Sequence, residues 1–445
     1  MRALLFPLVA LLLASCARPR DSQSAPSANA ASSAPAPAPP STISAPPVAS
    51  SAPVAAKPSP VVLPAERAPL FPAVEGNFRY IPLVFDNRSF LVADKKALSI
   101  EADRLEPMSV NLLAGVDSAD NDVLGATGKW PERAWLLAQE SNPCVPQNPS
   151  HIFAWSGARW TRVAPGDGDA RLIGVCRWGE RHFGLRSEEG ATFVPLDDPG
   201  PTPPSFRPAS SEAQAKGCRT ELEPSHCVTL SNGDLVVIGA LCGVTPERPA
   251  IEHFTQAAVQ GDTYPLPIPA GETSVRVRTF DSWGNEVYLA GARETPLGGY
   301  LAAFSPNSGV RIIDVPGELA SVDKVVASRD GSLWLGAAPV KDGVLDQDPQ
   351  AGLWRRREAG EWQRLTLDFR LADDKRTFQL APSIGLFGTP GDAWFNATYL
   401  SGDEKSPRTE RRHVVSRSRP SPKVLKLGPP KRVDTRPVRE VRCGP

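Results

Sequence analysis

The stretch Ser328-Arg-Asp-Gly-Ser-Leu-Trp-Leu-Gly336 joins a sharp turn to a short apolar strand, and its last six residues, 331–336, recur along the chain. Copies of this six-residue frame begin at positions 86, 131, 179, 233, 284, 331 and 391, so neighbouring copies start 45 to 60 residues apart. Most copies open with a Gly or polar pair that reverses the chain and continue with β-branched or aromatic residues. The frame therefore predicts one turn and one strand in each repeat.

Hairpin patterns follow several copies of the frame. Residues 352–365 read as a strand, a Gly turn and a second strand with alternating outward charge, and residues 152–163 and 299–313 show related patterns. Such alternation is typical of half-exposed strands. Four short strands per unit, a period near 50 residues and seven units predict an all-β fold, a seven-bladed β-propeller. Counts of six or eight blades remain alternatives because the first copy of the frame is faint.

One apolar residue in each copy is predicted to lie in the core of its blade. These residues are Phe90, Trp135, Phe183, Val236, Val287, Trp334 and Trp394. The stretch 328–336, followed by Gly352-Leu353, resembles the sensor propellers of bacterial two-component regulators, which carry an Asp-Gly-x-Leu-Trp-x-Gly strand and then a Gly-Leu pair. Only this blade matches well, and no kinase segment accompanies it, so the resemblance implies the fold and not signalling.

The N-terminal residues indicate export. Arg2 precedes an apolar run of about a dozen residues that ends in Leu13-Ala-Ser-Cys16. This run is too short to span a bilayer, which takes roughly twenty residues. The stretch resembles the lipobox of bacterial lipoproteins. The resemblance implies a signal peptide at 1–15, cleavage between Ser15 and Cys16, and acylation of the Cys16 thiol.

The lipobox resemblance also implies a place for the protein. A triacylated Cys16 would hold the chain to a lipid bilayer in the bacterial cell envelope. Ala17, where an Asp would favour the inner membrane, favours the outer membrane. Residues 16–66 after cleavage are mostly Ala, Pro and Ser and predict a disordered tether that can reach roughly 150 Å. The propeller domain is expected at 67–445, with residues 67–80 supplying a strand that closes the ring.

Charge argues against nucleic acid as a partner. The chain has 49 Lys and Arg residues against 49 Asp and Glu residues, so its net charge is zero. The segment 405–442 is locally basic, with thirteen Lys or Arg against three acids. A solvated blade face and tail is favoured there over contact with an anionic polymer or lipid surface.

Six cysteines remain besides Cys16 and could form up to three disulfides in an exported chain, with free buried thiols as the alternative. They are Cys144, Cys176, Cys218, Cys227, Cys242 and Cys443. Residues 197–228 are Pro- and Ser-rich and are interpreted as an insertion, which a Cys218–Cys227 bond would close into a small loop. Cys443 would tie the C-terminal segment to an earlier blade.

Motifs of catalysis are missing from the sequence. The five histidines form no H-x-H or H-E-x-x-H pair, and no G-x-S-x-G sequence occurs. No catalytic residue, metal ligand or cofactor is therefore predicted. The interpretation is a membrane-anchored, non-catalytic binding or scaffold module with an envelope protein or glycan as its partner. The alternatives are a propeller enzyme, such as a lyase or hydrolase, and a sensor module.

Overall fold

A computed structural model describes most of the chain between residues 63 and 417. The described ranges are 63–69, 74–76, 81–93, 96–100, 105–116, 121–140, 149–163, 171–187, 190–197, 202–295, 297–341, 344–345, 352–357, 360–368, 379–403 and 406–417. The predicted signal peptide, Cys16, Cys144 and Cys443 lie outside these residues.

The first half of the described chain contains thirteen strands. They are β1 (Leu63–Pro69), β2 (Val74–Gly76), β3 (Ile81–Val84), β4 (Ser89–Ala93), β5 (Lys96–Ile100), β6 (Leu105–Pro107), β7 (Asn121–Lys129), β8 (Arg133–Glu140), β9 (Ser150–Trp155), β10 (Trp160–Val163), β11 (Leu172–Trp178), β12 (Arg181–Arg186) and β13 (Thr192–Pro195).

A five-residue helix, α1 (Ser211–Ala215), precedes the remaining strands. They are β14 (Leu222–Thr229), β15 (Leu235–Leu241), β16 (Pro249–Phe254), β17 (Asp262–Pro265), β18 (Val275–Trp283), β19 (Glu286–Glu294), β20 (Leu297–Ser305), β21 (Gly309–Ile312), β22 (Leu319–Ala327), β23 (Leu333–Lys341), β24 (Val344–Leu345), β25 (Leu353–Arg356), β26 (Trp362–Asp368), β27 (Gln379–Thr389), β28 (Asp392–Asp403) and β29 (Ser406–Arg417). Within the described ranges, no helix is long and apolar enough to cross a membrane.

The strands form successive antiparallel sheets, as a β-propeller requires. Seven hydrogen-bonded sheets are present in the described residues, and six of them have four or more strands. The sheet β11-β12-β13 has only three. The described residues therefore form six complete blades, so the predicted count of seven is wrong and the alternative count of six is confirmed. The three-stranded sheet contains the copy of the frame that begins at 179. After Pro195 its chain passes into the predicted insertion, and within the described residues no fourth strand pairs with β13.

The first strand of each sheet lies at the inside of the ring. β3, β7 and β11 contact one another in turn, and β27 of the last sheet contacts β3, so the ring closes. The N-terminal strands strengthen this closure from outside. β2 pairs with β29 in the last sheet, as expected for residues 67–80, and β1 pairs in parallel with β26. β1 begins at Leu63, before the predicted boundary at 67, because this pairing extends the domain beyond what composition indicates.

Every copy of the six-residue frame lies at the turn between the first and second strands of a sheet. All seven predicted core residues, Phe90 to Trp394, are buried, with at most 6% of their surface exposed. Turns of neighbouring sheets also bond to each other through the backbone. The N–H groups of Asp86, Gly179, Ser231 and Arg329 donate to the carbonyls of Gly128, Gly233, Gly284 and Gly391.

The hydrophobic core is divided into clusters, each shared by two neighbouring sheets. Phe90 and Leu136 belong to the cluster between the first two sheets. Trp334 and Phe395 belong to the cluster between the last two. A single sheet cannot bury both of its faces, so stacking in a ring supplies the burial that each repeat lacks.

The segment between β13 and β14 is the predicted insertion, and it ends at Glu221 because β14 begins at Leu222. Phe206 stacks on Phe193 of the three-stranded sheet at 4.8 Å and meets Phe254 of the next sheet edge-on at 5.5 Å. Ser210 caps α1 by accepting the Ala213 N–H at 3.3 Å. The insertion therefore fills the space between two sheets.

Two disulfides occur among the described cysteines, Cys176–Cys227 and Cys218–Cys242. The predicted Cys218–Cys227 pair is wrong. Cys227 lies in β14, which is part of the ring and not of the insertion, and it faces Cys176 of β11 across the junction of two sheets with a Cα–Cα distance of 6.0 Å. Cys218 instead joins the insertion to the turn after β15.

Candidate functional site

A cleft of about 640 Å³ opens at the centre of the ring, on the face that carries the frame turns. We call it the central cleft. Its walls come from the first strands of five sheets, β3, β7, β11, β14 and β18, with Pro390 reaching in from the last sheet. Central clefts of this size are common ligand sites because residues from many elements converge there.

The first strands of the sheets share a feature that shapes the wall of the central cleft, which we call the channel wall. Register shifts, as β-bulges produce, occur in β7, β11, β14, β18, β22 and β27 where each pairs with its second strand. The extra residues of the first five of these strands include Leu124, Ile173, Ser225, Arg278 and Asp323. Bulges re-aim side chains and are frequent beside functional sites. The wall of the channel is therefore the candidate site.

The channel wall combines apolar and polar side chains. Its apolar members include Leu124, Ile173 and Val175, and 48% of the surface of Leu124 is exposed. Its polar members include His226, whose ring packs on Phe280 at 5.0 Å. A ligand that binds this wall meets side chains of both kinds.

At the rim of the cleft, His182 joins three sheets. Its Nδ1 lies 3.0 Å from Asp197 and its Nε2 lies 2.9 Å from Asp86, so both ring nitrogens have a carboxylate partner. The imidazole also packs on Trp135 of the intervening sheet at 4.8 Å. Arg133 binds Asp197 at 2.9 Å.

Asp86 remains ionised in this cluster. Burial pushes the pKa of its carboxyl upward, but the hydrogen bond and charge of His182 and the charge of Arg177 outweigh burial and hold the pKa below its usual value. The acid and base groups at the rim therefore bind each other and connect sheets.

Within the described residues, no group of three or more His, Cys, Asp or Glu side chains has the arrangement that could hold a metal ion. Of the residues predicted from sequence, the seven core residues lie behind the channel wall, and Cys176 and Cys227 lie within it. Sequence reasoning missed Leu124 and Ile173. The signal was a glycine after each one, Gly125 and Gly174, in strands that otherwise read as apolar.

No protein-family model matches the sequence, and neither does any curated protein sequence. Among solved structures, the chain is similar to YCF48 from Cyanidioschyzon merolae, with 11% identity, coverage of 78% of this chain and 98% of that one, and a TM-score of 0.41. It is similar to virginiamycin B lyase from Staphylococcus aureus, with 10% identity, coverage of 77% and 98%, and a TM-score of 0.38. It is also similar to the β-propeller domain of the Trilobed protease from Pyrococcus furiosus, with 8% identity, coverage of 64% and 82%, and a TM-score of 0.35.

Two carboxyl groups away from the rim sit in surroundings that disfavour their charge. Burial raises the pKa of Asp281 in β18 to about 7, although the backbone N–H groups of Ala327 and Ser282 bond to this carboxyl and oppose the shift. Burial also raises the pKa of Glu252 in β16 to about 7, and this residue has no exposed surface. Both groups therefore change charge close to neutral pH.

The raised pKa of Asp281 predicts that stability falls as the pH rises towards neutral. Because the folded pKa of about 7 exceeds the ordinary value of 3.8, the native state holds a proton that the unfolded state has released, and stability falls as pH rises from about 4 to 7. Asp281→Asn is expected to remove roughly 2 kcal/mol of the decline between pH 5 and 8. Denaturant unfolding of the wild type and of Asp281→Asn at pH 5 and pH 8 measures this difference in unfolding free energy. Glu252 is present in both proteins, so its contribution cancels. Equal declines in the two proteins would contradict the raised pKa of Asp281.

Proposed function

We propose that this protein is a lipid-anchored lipoprotein of the bacterial cell envelope, on the outer membrane, and that its propeller is a non-catalytic module that binds an envelope protein or glycan. The central cleft is the binding surface. The observation that carries this proposal is the channel wall, where bulges present Leu124 and Ile173 to the cleft while the titratable groups at the rim are engaged with one another.

Filling the central cleft is expected to abolish partner binding. Leu124→Arg places a long charged side chain among the apolar residues of its wall, whereas Leu297→Arg makes the same change on a hairpin where 66% of the leucine is exposed. The partner is identified by cross-linking in intact envelopes followed by mass spectrometry. The wild type and Leu297→Arg should capture the same amount of this partner, and Leu124→Arg should capture at least fivefold less. Equal capture by both variants would contradict a role for the cleft, and conversion of the captured partner by the purified protein would contradict a non-catalytic module.

The anchor is tested through its acylation site. Cys16→Ser removes the thiol that the lipobox resemblance assigns to the acyl chains, so the variant is expected to leave the membrane fraction and to lack a lipid adduct by mass spectrometry. Its matched control is Ser15→Ala, which keeps a small residue before the cysteine and should remain membrane-bound. A Cys16→Ser variant that stays firmly in the membrane fraction would overturn the anchor.

A further inference from the structure

A second cleft, of about 560 Å³, lies between the sheets β14–β17 and β18–β21, and we call it the junction cleft. At this point the ring is unusually open. First strands of neighbouring sheets contact each other closely at the other junctions, whereas β14 and β18 have hardly any direct contact within the described residues. Bulges in both strands, at Ser225 and Arg278, widen the same gap.

The charged groups of the junction cleft do not balance. Arg276 pairs with Glu294 at 3.7 Å, and Arg278 pairs with Asp323 of the next sheet at 2.7 Å. Two further carboxylates line the cleft, Glu223 and Glu247; both are exposed. Neither has an ion pair or a hydrogen bond to another described side chain. Lys324 adds one positive charge near His226 of the cleft, so the two carboxylates without an ion pair still leave the cleft negative.

The histidine of the cleft does not neutralise this charge. His226 as a whole residue is exposed, but its ring packs on Phe280. Burial of the ring and the charge of Lys324 lower the pKa of its imidazole. It is therefore neutral at pH 7. The same cleft also has apolar lining residues, Ile238, Val277 and Phe280.

We infer that the junction cleft binds a lysine or arginine side chain from a basic, extended peptide segment of a partner. The apolar lining accommodates the methylene stem of such a side chain. Glu223 and Glu247 bind the charged end. Charge complementarity of this kind selects the partner and raises its association rate. The junction cleft shares His226 and Phe280 with the central cleft, but Glu223 and Glu247 line the junction cleft alone, and the inference does not depend on the partner proposed for the central cleft.

The test titrates the detergent-solubilised full chain with hexalysine, and separately with hexaglutamate, by calorimetry at low salt. Hexalysine is expected to bind, and the double variant Glu223→Gln/Glu247→Gln to bind it at least tenfold more weakly. The control is Glu132→Gln/Glu318→Gln, which removes two exposed carboxylates elsewhere and should match the wild type. All four glutamates are exposed, so the folded state should persist, as thermal unfolding can verify.

Three results would overturn the inference: no binding of hexalysine, equal weakening in both double variants, or tighter binding of hexaglutamate. Equal weakening would mean that hexalysine responds to the overall charge of the protein and not to the cleft. The titration contains no envelope partner and its substitutions lie outside the central cleft. Its failure therefore counts against the junction cleft alone.

Discussion

Trp334→Ala is expected to lower the free energy of unfolding by about 3–5 kcal/mol, as truncation of a large core residue does. Only 2% of this side chain is exposed. Its Nε1 donates to the Ser328 hydroxyl at 2.9 Å, Arg355 lies over its ring at 4.5 Å, and Phe395 of the next sheet meets it edge-on at 5.5 Å. The substitution therefore opens a cavity between two sheets and releases the turn before β23.

Urea unfolding followed by far-UV circular dichroism measures this loss. Trp334→Phe is the matched control, since it keeps a ring in the cluster and removes the N–H donor, and it should cost clearly less than the alanine variant. An unfolding midpoint that alanine leaves unchanged would contradict the position of Trp334 between two sheets.

His182→Ala is expected to destabilise the protein by about 3 kcal/mol at pH 7, because it takes a hydrogen-bond partner from two largely buried carboxylates at once, which Arg133 and Arg177 compensate only in part. The side chain of His182 is 6% exposed, and the carboxylates it joins, Asp86 and Asp197, are 17% and 10% exposed. Without the imidazole, Asp86 and Asp197 lose the side chain that links them, and Arg177 and Arg133 remain as their cationic neighbours. The loss of packing on Trp135 adds to the cost.

A double-mutant cycle separates the charge contribution from the packing contribution. Asp86→Ala removes one of the facing carboxylates, so its combination with His182→Ala should cost less than the sum of the two single substitutions. Strict additivity of the three unfolding free energies would show that His182 stabilises the fold through packing alone.

Local features of the chain made the architecture predictable. Each copy of the frame puts a turn-forming pair directly before an apolar strand, and both signals act over a few residues, so their positions follow from sequence. The closing strand was predictable for a related reason, because β2 lies in the short stretch between the Ala-, Pro- and Ser-rich segment and the first copy of the frame. The missing fourth strand beside β13 was not, since it depends on how the insertion packs Phe206 against two sheets.

The candidate site was much less predictable because its features are relations between distant residues. Cys176 and Cys227 are 51 residues apart and meet only when β11 and β14 become neighbours. The same holds for His182 and Asp86, which are 96 residues apart. The bulge at Leu124 is defined by how β7 pairs with β8. The glycine beside it can be seen in the sequence, but the pairing register of the two strands cannot be predicted from it.

The placement of β1 and β2 has a mechanical consequence. Both strands are edge additions, β1 to β26 and β2 to β29, and both lie at the N-terminal end of the described chain. A pulling force applied to the chain before Leu63 reaches β1 first and β2 next, before it reaches any strand that lines the channel. Each edge strand can detach while the sheet behind it keeps its own ladder. Under such a force the two strands would detach one after the other before the ring itself is strained.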